Sequence, residues 1–118
     1  MSVWPWPADL DAVAAAGQHH RKLFENDAVR VLETLIPAGE QTAVHTHCWP
    51  NVQYVLRTTD FVRRDGSGFA VFDTREGAHR PEEGATLWSE PLPPHSVENV
   101  GQNDLRVLMV ELKRPRNE

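Results

Sequence analysis

From Lys22 onward no stretch of this chain holds a helical period long enough to bury one face, whereas apolar and polar residues alternate with period two again and again. "AVRVLETLI" sets Val29, Val31, Glu33 and Leu35 against Arg30, Leu32, Thr34 and Ile36, and its β-branched content favours a strand. "KLFEN", Thr42 to His47, "VQYVLR", "DFVRR", "FAVFD", "ATLWS", "SVENV" and "LRVLMVELK" behave alike. Turn signals lie between them: "END", "IPAGEQ", "DGSG", the polar run "TREGAHRPEEG", the rigid "EPLPP" and "QND". Eight or nine short strands joined by turns predict an all-β sandwich or barrel. The exception leads the chain. "ADLDAVAAAG" (Ala8 to Gly17) predicts a short N-terminal helix, with Asp9 as its cap and Gly17 as its stop. With 118 residues, one domain over 1–118 is expected.

The charge narrows the partners. Seventeen acidic residues outnumber twelve Lys and Arg, for a net charge of -5, so a phosphate backbone is a poor match and no nucleic-acid partner is expected. The best basic cluster, Lys113, Arg114 and Arg116, reads as a solvated tail. No apolar run approaches the ~20 residues that a bilayer core requires, so no membrane partner is expected either. "MSVWPWPADL" lacks the basic and apolar regions of a secretory signal, and a single cysteine forms no internal disulfide. A cytoplasmic protein is the default expectation. Trp4 and Trp6 in "VWPWP" predict packing across a homodimer interface or over the open end of a barrel.

His45 and His47 in "HTHCWPNVQY" are two apart, and side chains two apart on a strand share one face. Paired neutral imidazoles make half of a transition-metal site. Gly39 precedes His45 by five intervening residues, and far downstream Gly84 leads a run to His95, which Asn99 follows by four. The two segments, "GEQTAVHTHCWPNVQYVLRT" and "GATLWSEPLPPHSVEN", resemble the two-part motif of the cupin superfamily: G-x5-H-x-H, then a Gly-led run ending in H-x3-N. The resemblance spans about 22–113, leaving 1–21 as an N-terminal arm and helix. "LFENDAVRVLE", "TDFVRRDG" and "PLPPHSVENVG" are similar to small bacterial cupins of unassigned function. The implied fold is an antiparallel β-sandwich or barrel of jelly-roll type.

The departures from the motif bear on the site. Asn51 stands where the family has its glutamate ligand, and Thr58 where a glycine follows it. Glu90 and Leu92 replace a proline and a glycine of the second half, although Pro91, Pro93 and Pro94 keep that loop rigid. The resemblance therefore implies a metal held by three neutral imidazoles, His45, His47 and His95, without a protein anion. Asn51, Gln53 or water would fill the glutamate position, Gln53 sharing the strand parity of Asn51. Such an ion attracts anionic or enolisable ligands and acidifies bound water. Iron, zinc, nickel and manganese all suit the residue types. The implied function is a metal-dependent enzyme on a small organic substrate, favoured as a three-His non-haem dioxygenase, with isomerase or lyase chemistry on other metals. The alternative is a non-catalytic binding or sensing module anchored by the metal.

Other residues carry plainer expectations. His19 and His20 fall in the connector after the helix, and His79 in a polar loop; all three read as surface residues. Cys48 has the opposite parity to His47 and should point away from the metal. Trp49 and Trp88 read as core rather than as a pocket mouth. Tyr54 has the outward parity, whereas Arg57 has the inward one and is a candidate clamp for an anionic ligand. Glu98 should face out, and Asn99 should fix backbone.

Overall fold

The computed structural model describes residues 4–77 and 79–113. Arg114 and Arg116 of the expected basic tail lie outside the described residues. Among the described residues nine strands follow a short N-terminal segment: β1 (His20–Glu25), β2 (Val29–Ile36), β3 (His45–His47), β4 (Asn51–Arg57), β5 (Phe61–Asp65), β6 (Ala70–Asp73), β7 (Thr86–Ser89), β8 (Leu92–Asn99) and β9 (Leu105–Leu112). They form two antiparallel sheets, β1-β2-β9-β4-β7 and β3-β8-β5-β6. The all-β expectation holds.

The turns do what their residues dictate. The Asn26 side-chain oxygen accepts from the Ala28 and Val29 amides, closing "END". Asp65 Oδ1 accepts from the Ser67 and Phe69 amides, closing "DGSG". The two motif glycines share one role: Gly39 and Gly84, both at φ 84°, are the third residues of four-residue turns closed by Glu40 N–H to Pro37 O and Ala85 N–H to Glu82 O. A positive φ at that position is the type II geometry, which favours glycine.

The expected helix is shorter than its alanines predict. A 3-10 turn over Ala8–Leu10 and one α-helical turn α1 (Ala12–Ala15) are separated by Asp11 in extended backbone. Asp11, not Asp9, is the cap, its carboxylate accepting from Val13 N–H. The same carboxylate takes both terminal nitrogens of Arg30, and Asp11 bridges Thr46 of β3 through the backbone. Tertiary bonds at Asp11 override helix propensity and lay the segment along the outer edge of β3, where Thr46 is buried as well as its neighbours.

Inside the sandwich, apolar packing is divided. Ala12, Leu32 and Met109 form one buried cluster, and Ile36, Leu105 and Val107 another, with Phe61 and Val97 against it. Between the sheets lies a cavity of about 270 Å³, bordered by Ile36, Val55 and Val107 from one sheet and Phe61 and Val97 from the other.

Candidate metal centre and its cavity

His45 faces His95 across the β3–β8 ladder, and the register shifts before His47 meets Leu92. Pro93 and Pro94 lie opposite that irregularity. A proline cannot donate to a ladder, so it belongs at a bulge. This is why β8 starts at Leu92 rather than after the prolines. The rings of His45 and His95 are 4.3 Å apart between centroids, His45 and His47 5.0 Å, and His47 and His95 5.4 Å. The three histidines of the motif halves thus come together beside the cavity.

A fourth joins them. His20 is the first residue of β1, opposite Thr34 of β2, and its ring lies 4.5 Å from that of His45 and 5.6 Å from that of His47. The expectation that His19 and His20 lie on the surface is wrong: they are 6% and 4% exposed. His19 turns the other way and pairs with Glu40 at 2.8 Å. His20, His45 and His47 each offer a ligand atom, all within 4.8 Å of one another, and His95 flanks the group through His45.

Each of the four rings is oriented through Nδ1. That atom lies 3.0 Å from Ala16 O in His20, 2.8 Å from Ala43 O in His45, 2.8 Å from Pro93 O in His95 and 3.4 Å from Glu111 Oε2 in His47. An acceptor at Nδ1 fixes the proton there and leaves the Nε2 lone pair for a ligand. Burial, reinforced by neighbouring imidazoles, pushes His20, His47 and His95 down to about 3 and lowers His45 as well. Neutral, tautomer-fixed imidazoles are donors suited to a divalent transition metal, and His20, His45 and His47 lie close enough together to share one.

Behind His47 lies a buried charge network. Arg30 Nε donates to Glu111 Oε1 at 2.5 Å, while its terminal nitrogens donate to Asp11 at 2.9 and 2.8 Å. Burial raises the pKa of Glu111, and Arg30 only partly offsets it. For Asp11 burial works in the same direction, but its bonds to Arg30 outweigh it and the pKa is lowered.

The remaining candidates divide. Asn51 is fully buried, its Oδ1 accepting from Gln53 Nε2 at 3.0 Å and its Nδ2 donating to Trp49 O. Gln53 borders the cavity. Arg57 lies beyond a register shift between Val55 and Arg57, opposite Arg106, with its guanidinium 3.6 Å from Glu83 and half exposed. Period-two counting put it on the inner face, and the bulge takes it off. Trp88 is 51% exposed and borders the cavity, so it is a mouth residue and not core. Trp49 is half-buried between the cations of Arg30 and Lys113. Tyr54 and His79 are exposed. Glu98 pairs with Arg64. Asn99 ties Ile36 O, Asn103 O and Gly101 N together.

Two residues escaped the sequence reading. Arg63 and Thr34 both border the cavity. Their signal was parity alone, which many strand residues share.

No family model matches the chain. It is similar to an uncharacterised protein of Methanocaldococcus jannaschii, 24% identical over 90 residues, which cover 75% of this chain and 64% of that one, just under two thirds of its length. Among solved structures, a cupin domain from Bordetella pertussis aligns with a TM-score of 0.67 at 20% identity over 80% of this chain and 92% of that one. The polyketide cyclase RemF from Streptomyces resistomycificus aligns with a TM-score of 0.58 at 19% identity, covering 97% and 81%. Further cupin and RmlC-like cupin structures align over about four fifths of the chain.

Proposed function

On a chain that has the cupin fold, we propose that His20, His45, His47 and His95 hold one divalent transition metal and that the protein is an enzyme acting on a small, largely apolar molecule beside it. The supporting observation is the cluster itself: four neutral imidazoles, each fixed through Nδ1, on the wall of a cavity whose other lining is mainly apolar. When bound, the ion supplies a Lewis acid that polarises a substrate oxygen or acidifies a water. The chain's own residues do the rest. Ala16, Ala43 and Pro93 hold the ring orientations through their carbonyls. Phe61, Phe72, Leu87 and Val97 exclude water, and Gln53 presents an amide to the cavity. About 270 Å³ lies just below the usual range for ligand pockets, which favours a substrate the size of one ring or a short chain.

Non-redox chemistry is the favoured version. Four neutral donors carry no anionic charge with which to stabilise a trivalent ion, so the divalent state is preferred throughout. The likeness to a polyketide cyclase agrees with that choice. The dioxygenase reading, based on the three histidines of the motif, and the non-catalytic binding module are the competing outcomes.

The test begins with metal analysis after reconstitution with zinc, iron(II), nickel and manganese. One equivalent in the wild type and less than half in both His20→Ala and His45→Ala is expected. No metal above trace levels in the wild type would sink the proposal. Oxygen consumption by the iron(II) form with a panel of diketones, phenols and oxo acids would replace the non-redox version with the dioxygenase. Tight ligand binding without turnover on any metal would leave the binding module.

A further inference from the structure

We propose that the cavity takes a molecule bearing a carboxylate, and that Arg63, not Arg57, binds that carboxylate. This names the substrate class of the site proposed above and rests on that cavity being where the substrate goes.

The first observation is an arginine without a counter-ion. Arg21, Arg30, Arg57, Arg64, Arg75, Arg80 and Arg106 each lie within ion-pair distance of an aspartate or glutamate. Among the described residues Arg63 alone of the arginines has no carboxylate partner. Its guanidinium lies over the Phe72 ring, 5.6 Å from the centroid, and borders the cavity. It sits in β5 opposite Val97 and Phe72, with Phe61 two residues before it on the same face. The acidic residue two positions on, Asp65, is occupied in capping its turn. Burial lowers the Arg63 pKa, yet a guanidinium stays charged at neutral pH, so the cation is partly desolvated with no carboxylate among the described residues to compensate it.

The second observation comes from the opposite sheet. Thr34 is buried to more than nine tenths, borders the same cavity, and its hydroxyl has no hydrogen-bond partner. Buried polar groups are almost always satisfied, so an unpartnered one facing a cavity marks a contact for a ligand. A planar fork of donors suits a carboxylate, and the partial burial that strains Arg63 strengthens a charge-assisted bond once an anion arrives. Between Arg63 and Thr34 the walls are aromatic and aliphatic. The ligand they describe has an apolar body, a carboxylate towards Arg63 and an oxygen within reach of Thr34 and the histidines.

Isothermal titration of the full-length protein with benzoate and with its neutral counterpart benzamide tests the proposal, on zinc-loaded and on chelator-treated protein, with butanoate as a smaller probe. Benzoate should bind at least about tenfold more tightly than benzamide, the worth of one charge-assisted pair. Arg63→Met should reduce benzoate to the benzamide level, Arg63→Lys should keep part of the preference, and Arg57→Met should keep all of it. Thermal unfolding checks that each variant is folded. Equal affinity for acid and amide, a preference that survives Arg63→Met, or failure of benzoate and butanoate to bind below about 10 mM overturns the proposal. A preference that survives Arg63→Met but disappears with zinc assigns the anion to the metal and leaves the metal proposal standing. An Arg63-dependent preference in a protein that takes up no zinc does the reverse.

Discussion

Replacing Arg30 by Met should destabilise the protein by about 3–5 kcal/mol at neutral pH, because it strands a charge that has no route to water. Glu111 is fully buried, and Arg30 is the cation that meets it, through Nε at 2.5 Å. Asp11 loses the same guanidinium but keeps a fifth of its side chain in solvent, so its share is smaller. A loss of this size is a large fraction of the 5–15 kcal/mol typical of whole domains. The pH dependence identifies the culprit. Burial already holds the folded pKa of Glu111 above its ordinary value of 4.5, and without Arg30 it rises further. A group whose folded pKa is raised contributes stability below its unfolded pKa and loses it as pH rises through the folded one. The deficit of Arg30→Met against wild type should therefore be largest near pH 7.5 and shrink towards pH 5. Urea unfolding followed by tryptophan fluorescence at several pH values measures it. The double variant Arg30→Met, Glu111→Gln removes the stranded charge, keeps an acceptor for His47 and should recover most of the loss. A deficit under about 1 kcal/mol, one independent of pH, or a double variant no better than the single would refute the reasoning.

Two further outcomes follow from buried groups. In metal-free protein, His20, His47 and His95 stay neutral down to about 3, whereas the unfolded chain protonates its histidines near 6.5. Acidification from pH 7 to pH 5 should then cost about 2 kcal/mol for each, the raised pKa of Glu111 offsetting a little; a urea midpoint that does not move over this range would contradict it. Asn99→Ala strands the carbonyls of Ile36 and Asn103 and the amide of Gly101, and should cost about 3 kcal/mol or more in the same assay. Asn99→Asp keeps the acceptor for Gly101 but sets a fully buried carboxylate against both carbonyls, so at neutral pH it should cost at least as much as Asn99→Ala.

The strands were legible because a half-buried strand has to alternate, and nine segments did. The pair His45 and His47 and their partner His95 were legible as a motif, and its glycines now have a reason in two type II turns. What was not legible shares one cause, the interruption of a period by contacts distant in sequence. The bulge after Val55 turns Arg57 outward although its parity is right. The α-helix begins only after Asp11 because Arg30 and Thr46 claim that residue. His20 was hidden because β1 begins two residues before its apolar alternation does, in "GQHHRK", where nothing local separates a solvated connector from an inward-pointing strand end. The adjacent pair His19 and His20 carried one usable hint, since neighbouring side chains entering a strand point to opposite faces.

The carboxylate missing from position 51 has an equivalent nearby, and its placement changes what it does. Glu111 pairs with Asn51 across the β4–β9 ladder, so the buried anion lies one strand over from where the motif would put it. There it faces Nδ1 of His47 and the guanidinium of Arg30 rather than the cavity. An anion at Nδ1 holds the proton on that atom and makes Nε2 a stronger donor, so Glu111 acts on the site through an imidazole. Its charge is already balanced by Arg30, and Asp11 shares that cation. The cavity itself is left with four neutral rings and the guanidinium of Arg63, and among the described residues no acid borders it. A dication held by those rings would raise the positive charge further. The anionic ligand proposed above would complete the charge balance of the site, and that proposal connects Asn51 in place of glutamate to the charge of the ligand.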